Sequence, residues 1–373
     1  MDSNQEHKLQ QTWRHLIQLC GVSNPDQAAT PDSSSWPRLN DMSPDEFRRE
    51  LWLFIMSEHP DALVLRFLRA RKWDVEAALA MLLSAVRWRR ERKLDKTVIL
   101  AGESVGLKAT PSKDEMGFIT QYRSGKSYVR GTDKEHRPIY IIKVGLHDPS
   151  LQSSEAMESY ILHNVESIRL LVKPPNDKFC LFFDMTGFGL KNMDFHVVKF
   201  LLLIFEAKYP ETLGLVLIHN APFVFWGLWN IIKGWLDPVI ASKINFTRKT
   251  ADLLKFISED NLQSNYGGRD EWKYKYAEPE PGEDSRLSEE EKRAEIQKER
   301  EALITKFEQE TIRWTSLPVS DPDLKAVNEE RSQTAALLRE NYWKLEPYIR
   351  SRTYYHRVGV VDGEGNVDFR AAK

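Results

Sequence analysis

An α/β fold built on a mainly parallel sheet is predicted by three observations. Strand-like apolar runs at 178–184, 213–219 and 243–246 alternate with helical patterns at 155–172, 193–207 and 223–236, an order that implies crossovers and parallel neighbours. The runs Lys178 to Asp184 and Leu213 to His219 are almost continuously apolar, as strands covered on both faces are. Helical patterns without strands flank this centre on both sides, at 43–93 and at 288–345. The 373 residues suffice for one domain-sized lobe plus substantial additions.

Along the chain, residues 6–20 read as a short amphipathic helix with Leu9, Trp13, Leu16 and Ile17 on one face. Residues 22–41 lack periodicity, carry three prolines and read as a linker, so 1–42 form a first segment. Ser43-Pro44-Asp45-Glu46 then combines a serine cap, a proline at the first helical position and a glutamate placed for a capping box. The helical lobe it opens, 43–95, breaks near Arg71-Lys72-Trp73, and Asp74 caps the next helix. Arg71 and Lys72 read as a solvated basic face or a phosphate clamp. Arg87 to Lys93 reads as an exposed helix end whose cations suit the helix dipole.

A central domain, 116–270, opens on a hairpin through Ser127–Val129 and Arg137–Ile142 with its turn at Asp133–His136. Past the acidic, proline-rich stretch 277–284, Ser288 and Glu291 suggest a capping box, followed by a helical hairpin over 286–350 and a tail, 351–373, that is either a β-hairpin or disordered.

The segment Phe223 to Leu236 is apolar on every side, with only Asn230 and Lys233 strongly polar and with Trp226, Trp229 and Trp235 among the chain's eleven tryptophans. At about 1.5 Å per residue such a helix is too short to cross a bilayer core of about 30 Å. It therefore packs inside the protein or faces lipid. Glu211 precedes one strand and Lys243 begins the next, so in a parallel pair both stand at the same, amino-terminal edge. They read either as a structural salt bridge or as a site for a polar headgroup, lysine meeting phosphate and glutamate orienting it.

Composition narrows the classes. A net charge of −2 gives no global attraction for nucleic acid or anionic membrane. Cys20 and Cys180 read as free thiols of a reducing compartment. The polar amino terminus and the lack of an apolar run of 18 or more residues point to a cytoplasmic protein, peripheral to membranes at most. Catalytic signatures are missing: no nucleophile elbow, Walker loop or zinc motif is found, and Gly187-Phe188-Gly189 lacks the third glycine of a dinucleotide fingerprint. His163 and His219 read as core histidines, and Asp184 closes a strand without an identifiable catalytic partner.

The segments LRFLRARKWDVEAALAML, RWRR, RPIYIIKVGLHD, FDMTGFGLKN, FEAKYPETLG, HNAPFVF, LDPVIASKINF and NYGG, in this order, resemble the CRAL-TRIO lipid-binding family, specifically its fungal phosphatidylinositol transfer proteins, over about residues 58–270. ENYWKLEPYIRSR resembles the subgroup known as CSR. The resemblance implies the CRAL-TRIO fold: a helical amino-terminal lobe, a sheet floor, and a lipid cavity closed by a mobile gate helix carrying Phe223, Phe225, Trp226, Trp229 and Trp235. It places phosphoinositol headgroup contacts at Arg71, Lys72, Glu211 and Lys243. Ile240 stands where the family has a threonine, which removes one hydroxyl contact. Hydroxyl residues that serve phosphatidylcholine in relatives are Phe179 and Leu181 here, and a hairpin tyrosine is Val129, while Tyr140 is kept.

By strand alternation Phe179, Leu181 and Phe183 share one face, and with Tyr140 they make an apolar pocket unsuited to a choline phosphodiester. The expected function is non-enzymatic binding and transfer of phosphatidylinositol by a monomer, with weak or absent phosphatidylcholine exchange, no metal and no cofactor beyond the lipid. The expected partners are phospholipid and, transiently, the surface of endoplasmic reticulum, endosome or lipid droplet. Alternatives are a sensor or scaffold presenting phosphatidylinositol to a lipid kinase, with the hairpin after Ser288 as its partner surface, or a carrier of another apolar ligand such as a sterol precursor.

Overall fold

The structure, a computed structural model, describes residues 1–22, 37–174 and 176–371. Most of the expected linker at 22–41 lies outside the described residues. The chain folds as two compact units: residues 1–94 with 286–349, and residues 95–285 with 350–373.

Among the described residues the first unit is all helical. Helix α1 (Ser3–Leu19) starts at an Asp2 capping box and buries Leu9, Trp13, Leu16 and Ile17, the face its periodicity predicts. Helix α2 (Pro44–Ile55) starts at the Ser43–Glu46 capping box. The lobe breaks twice rather than once. Besides the turn at 71–73, Pro60 at the first position of α3 (Pro60–Ala70) forces a separation from α2, and the His59 side chain accepts from the Asp61 amide. Helix α4 (Val75–Glu91) is capped by Asp74.

Two long helices, Glu290–Ser316 and Leu324–Leu345, complete this unit. The Ser288–Glu291 capping box does not form: Ser288 ends a short 3-10 turn, Ser285–Ser288, and the helix begins one residue later than that box requires. Ion pairs that no local pattern announces join these helices to the amino-terminal ones. Arg48 Nε donates to Glu308 at 2.8 Å, and Arg331 Nη2 donates to Asp61 at 2.7 Å while its guanidinium stacks 4.1 Å from the Trp314 ring. Arg89 corrects the reading of an exposed helix end, since it is 2% exposed with its guanidinium 4.6 Å from the Phe54 ring centroid.

The second unit is built on a five-stranded sheet in sequence order: β1 (Ser127–Thr132), β2 (Pro138–Lys143), β3 (Phe179–Asp184), β4 (Leu213–His219) and β5 (Ile244–Thr247). The β1–β2 hairpin is antiparallel and the other pairs are parallel, as the alternation of strands and helices predicts. Alternation along each strand sends Ile139, Ile141, Cys180, Phe182, Leu215 and Leu217 into a core covered by Leu253, Ile257, Leu262 and Tyr266. Neighbouring residues on the same strands point to the opposite face. The free edge of β1 is covered by the chain end: the Val129 amide donates to the Tyr355 hydroxyl at 3.1 Å, the Gly131 amide donates to the Phe369 carbonyl at 3.1 Å, and Val361 bridges Val367.

The NYGG segment closes the core side of the sheet. A Cβ at Gly268 would lie 1.9 Å from the Leu262 carbonyl oxygen, so backbone would have to move to admit it. Gly268→Ala is expected to lower the unfolding free energy by about 2 kcal/mol or more in urea titrations, and an unchanged midpoint would contradict the packing described.

Candidate functional site

Against the second face of the sheet lies a cavity of about 1440 Å³, counted to its open mouth. Its floor is made by Tyr140 and Ile142 of β2, Leu181 and Phe183 of β3, and Val216 and Ile218 of β4. Helix Ser154–Leu171 supplies Met157, Tyr160, Ile161 and Val165, and helix Phe195–Leu203 supplies Val197, Val198 and Leu201. The tryptophan-rich segment forms helix Phe225–Lys233 and lays Phe225, Trp229 and Ile232 over the space. Three of the four expected pocket residues therefore line the cavity. Phe179 does not: its ring meets Phe205 edge-on at 5.8 Å, and Phe205 forms the wall there.

The aromatic helix is two-sided. Phe225 is buried against Phe188, and Trp229 packs on Phe225 and Phe246. Trp235 lies just past the helix end, against Phe195 at 5.7 Å. Outward, Phe223 is 94% exposed and Trp226 42%, beside exposed Val224, Ile231 and Val239. A Cβ at Gly227 would meet nothing within 4 Å, so this glycine does not admit a close neighbour within the chain.

A polar chain is set into the otherwise apolar wall. Lys126 Nζ donates to Gln121 Oε1 and, at 3.1 Å, to His147 Nδ1, whose Nε2 faces Asp194 Oδ2 at 3.3 Å. Ser127 Oγ bonds both the Tyr140 and Tyr160 hydroxyls, at 2.7 and 2.6 Å. Burial pushes the Lys126 ammonium down to about 7, with Asp194 partly opposing. Sequence reasoning missed this group, since a lysine entering a strand is ordinarily solvated.

The sheet's amino-terminal edge carries the charged pair. Glu211 has φ 59°, a left-handed conformation that costs a non-glycine residue about 1 kcal/mol or more. A locked turn holds it there: buried Tyr209 donates its hydroxyl to Glu166, Thr212 Oγ1 donates to the Tyr209 carbonyl at 2.7 Å, and the Phe179 amide donates to the Thr212 carbonyl at 2.9 Å. Lys243 ends the short helix Pro238–Ser242, and its carbonyl accepts from the Val216 amide at 2.9 Å. Lys243 Nζ stands 3.8 Å from Glu211 Oε2, and Lys178 Nζ stands 3.6 Å from the same oxygen. Burial holds the Lys243 ammonium below the ordinary lysine range; Glu211 opposes this and Lys178 adds to it. Lys178 was overlooked in the sequence, although the rule that joins Glu211 to Lys243 extends to it one strand further.

Arg71 and Lys72 lie in the other unit, exposed in the turn between α3 and α4, where Lys72 and Trp73 have φ of 51° and 66°. His163 and His219 are core residues, bonded to the Tyr122 hydroxyl and to Thr247 Oγ1. Burial drives His163 down to about 3. Asp184 accepts from the Tyr266 hydroxyl at 2.8 Å and from the Thr186 amide at 2.9 Å, a strand-end anchor.

Residues 122–268 match the CRAL/TRIO domain family and residues 28–84 its N-terminal domain family. A CRAL-TRIO domain-containing protein of Schizosaccharomyces pombe is 38% identical over 323 residues, 86% of this chain and 70% of that relative. Phosphatidylinositol transfer protein CSR1 of Eremothecium gossypii is 40% identical over 314 residues, 84% of this chain and 71% of that relative. A phosphatidylinositol/phosphatidylcholine transfer protein of Arabidopsis thaliana, SFH12, is 32% identical over 244 residues, 60% of this chain and 43% of that relative. The chain belongs to the CRAL-TRIO lipid transfer family. Among the described residues no helix is long and apolar enough to cross a membrane.

Lys126 gives the cavity wall a pH signature. Its folded value, about 7, lies below the unfolded lysine value of about 10.4. Between these values the unfolded chain binds more protons, so stability rises with pH across that window, and the burden is fully present below it. The urea midpoint is therefore expected to rise from pH 7 to pH 9, and Lys126→Met is expected to flatten that rise. An equal slope in both proteins would show that Lys126 is not held neutral by the wall.

Proposed function

We propose that this chain binds phosphatidylinositol and carries it between membranes without transforming it. The observation that supports this most is a large apolar cavity with a pair of lysines on one carboxylate at the sheet edge beside it. Leu213, Ile240 and Ile244 line the cavity within a few residues of Glu211 and Lys243, so a lipid with its chains inside would bring its phosphate to that edge. Two acyl chains hold roughly thirty methylenes, about 24 kcal/mol gross at about 0.8 kcal/mol each, so escape from a bilayer into water is slow. A carrier replaces water by an apolar wall. The exposed outer face of the aromatic helix, Phe223 and Trp226 foremost, is the surface that meets the membrane, where lipid rather than water covers it.

Phosphatidylcholine exchange is weak or absent in this reading, because Leu181 lines the cavity where choline-lipid carriers have a hydroxyl residue and Phe179 backs the wall behind Phe205. The pairing of Lys126, His147, Ser127 and Tyr140 with one another also favours a second reading, in which a wholly apolar guest such as a sterol precursor shares the cavity.

Lys243→Ala is expected to lower transfer of labelled phosphatidylinositol between vesicles at least about tenfold, the worth of a charge-assisted hydrogen bond to phosphate. Undiminished transfer would remove the headgroup assignment.

A further inference from the structure

The edge site contains more positive charge than the glutamate–lysine pair accounts for. Lys178 enters β3, Glu211 precedes β4 and Lys243 precedes β5, three parallel neighbours whose leading residues share one edge. Both ammonium groups approach a single oxygen, Glu211 Oε2, at 3.6 and 3.8 Å, which is ion-pair contact but too long for a hydrogen bond. Among the described residues neither ammonium has a hydrogen-bond acceptor, so their N–H groups are unspent. The side chains of Lys243 and Glu211 are each 16% exposed and that of Lys178 is 32%, so water screens the trio only in part.

A structural salt bridge would need one cation per carboxylate, and pairs this loose contribute little to stability. The three residues by themselves carry one net positive charge with free donors, Asp237 being the further charge that acts on Lys243, and they stand next to cavity-lining Leu213, Ile240 and Ile244. That is the complement of a singly charged phosphodiester. A zwitterionic headgroup would set its own ammonium against two lysines, a like-charge contact that discriminates against it.

We propose that Lys178 is a specificity-determining residue of this site: it makes the site select lipids whose headgroup is a phosphodiester without a cation of its own, phosphatidylinositol among them, over zwitterionic phospholipids. The inference rests on the headgroup reading above. Lys178 offsets the charge of Glu211, so that Lys243 is not held to that carboxylate when a phosphate arrives.

The test uses the full chain stripped of lipid. Its affinities are measured for vesicles doped with labelled phosphatidylinositol or labelled phosphatidylcholine, in the wild type, Lys178→Gln, Lys178→Arg and Lys243→Ala. Lys178→Gln is expected to weaken phosphatidylinositol binding about tenfold while phosphatidylcholine binding holds or strengthens, the loss of one charge-assisted contact. Lys178→Arg, which keeps the charge, is expected to stay within about threefold of wild type. Wild-type affinity for phosphatidylinositol in Lys178→Gln, with Lys243→Ala impaired, would overturn the role of Lys178 and leave the headgroup site standing. Equal losses for both lipids in Lys178→Gln would overturn the selectivity. If Lys243→Ala also binds normally, the headgroup reading itself fails. Soluble glycerophosphoinositol, added as a competitor at the concentration of the lipid, is expected not to displace it; displacement would assign the site to a free phosphodiester.

Discussion

Strand alternation sends consecutive residues of β2, β3 and β4 to opposite faces of the sheet, and here both registers are apolar. Each face then needs an apolar cover. Leu253, Ile257, Leu262 and Tyr266 cover Cys180, Phe182 and Leu217 with close packing. On the other face Leu181, Phe183, Val216 and Ile218 look across a hollow to the helices around it. Unfilled apolar space costs stability, because the side chains that line it forgo packing contacts. A wall of this kind is built for a guest, and the guest must be apolar over most of its length.

Charge is sorted by depth in the same unit. Lys126 is deep, held by Gln121 and His147, and its burial favours the neutral amine. Its neighbours Ser127, Tyr140 and Tyr160 satisfy one another. The trio of Lys178, Glu211 and Lys243 lies at the edge with donors to spare. Polar groups that are satisfied internally ask nothing of a ligand, whereas cations in excess do. The arrangement suits the proposed reading, in which an amphiphile lays its chains toward the wall and its phosphate toward the edge.

Much of this was legible because it is local. The Ser43 and Asp74 caps, the apolar face of α1, the hairpin turn and the run of β4 follow from short patterns, and the parallel order follows from alternation. Glu211 and Lys243 could be paired because topology alone sets leading residues of parallel strands at one edge. What escaped depends on partners far away in sequence. Arg89, in the stretch read as an exposed helix end, packs on Phe54, and Lys126, which has no signal in its own window, is buried against Tyr160 and Met157 of helix Ser154–Leu171. Phe179 obeys its alternation, yet Phe205 stands in front of it. The two long carboxy-terminal helices join the amino-terminal ones through Glu308–Arg48 and Arg331–Asp61, contacts between residues that no window of sequence brings together.

The proposed function requires a lipid guest in the hollow above the sheet. Native mass spectrometry of the purified full chain, followed by solvent extraction, addresses it directly. One guest per chain is expected, with an extract dominated by inositol phospholipid. A chain that flies at its own mass after incubation with phospholipid vesicles, with nothing in the extract, would contradict it.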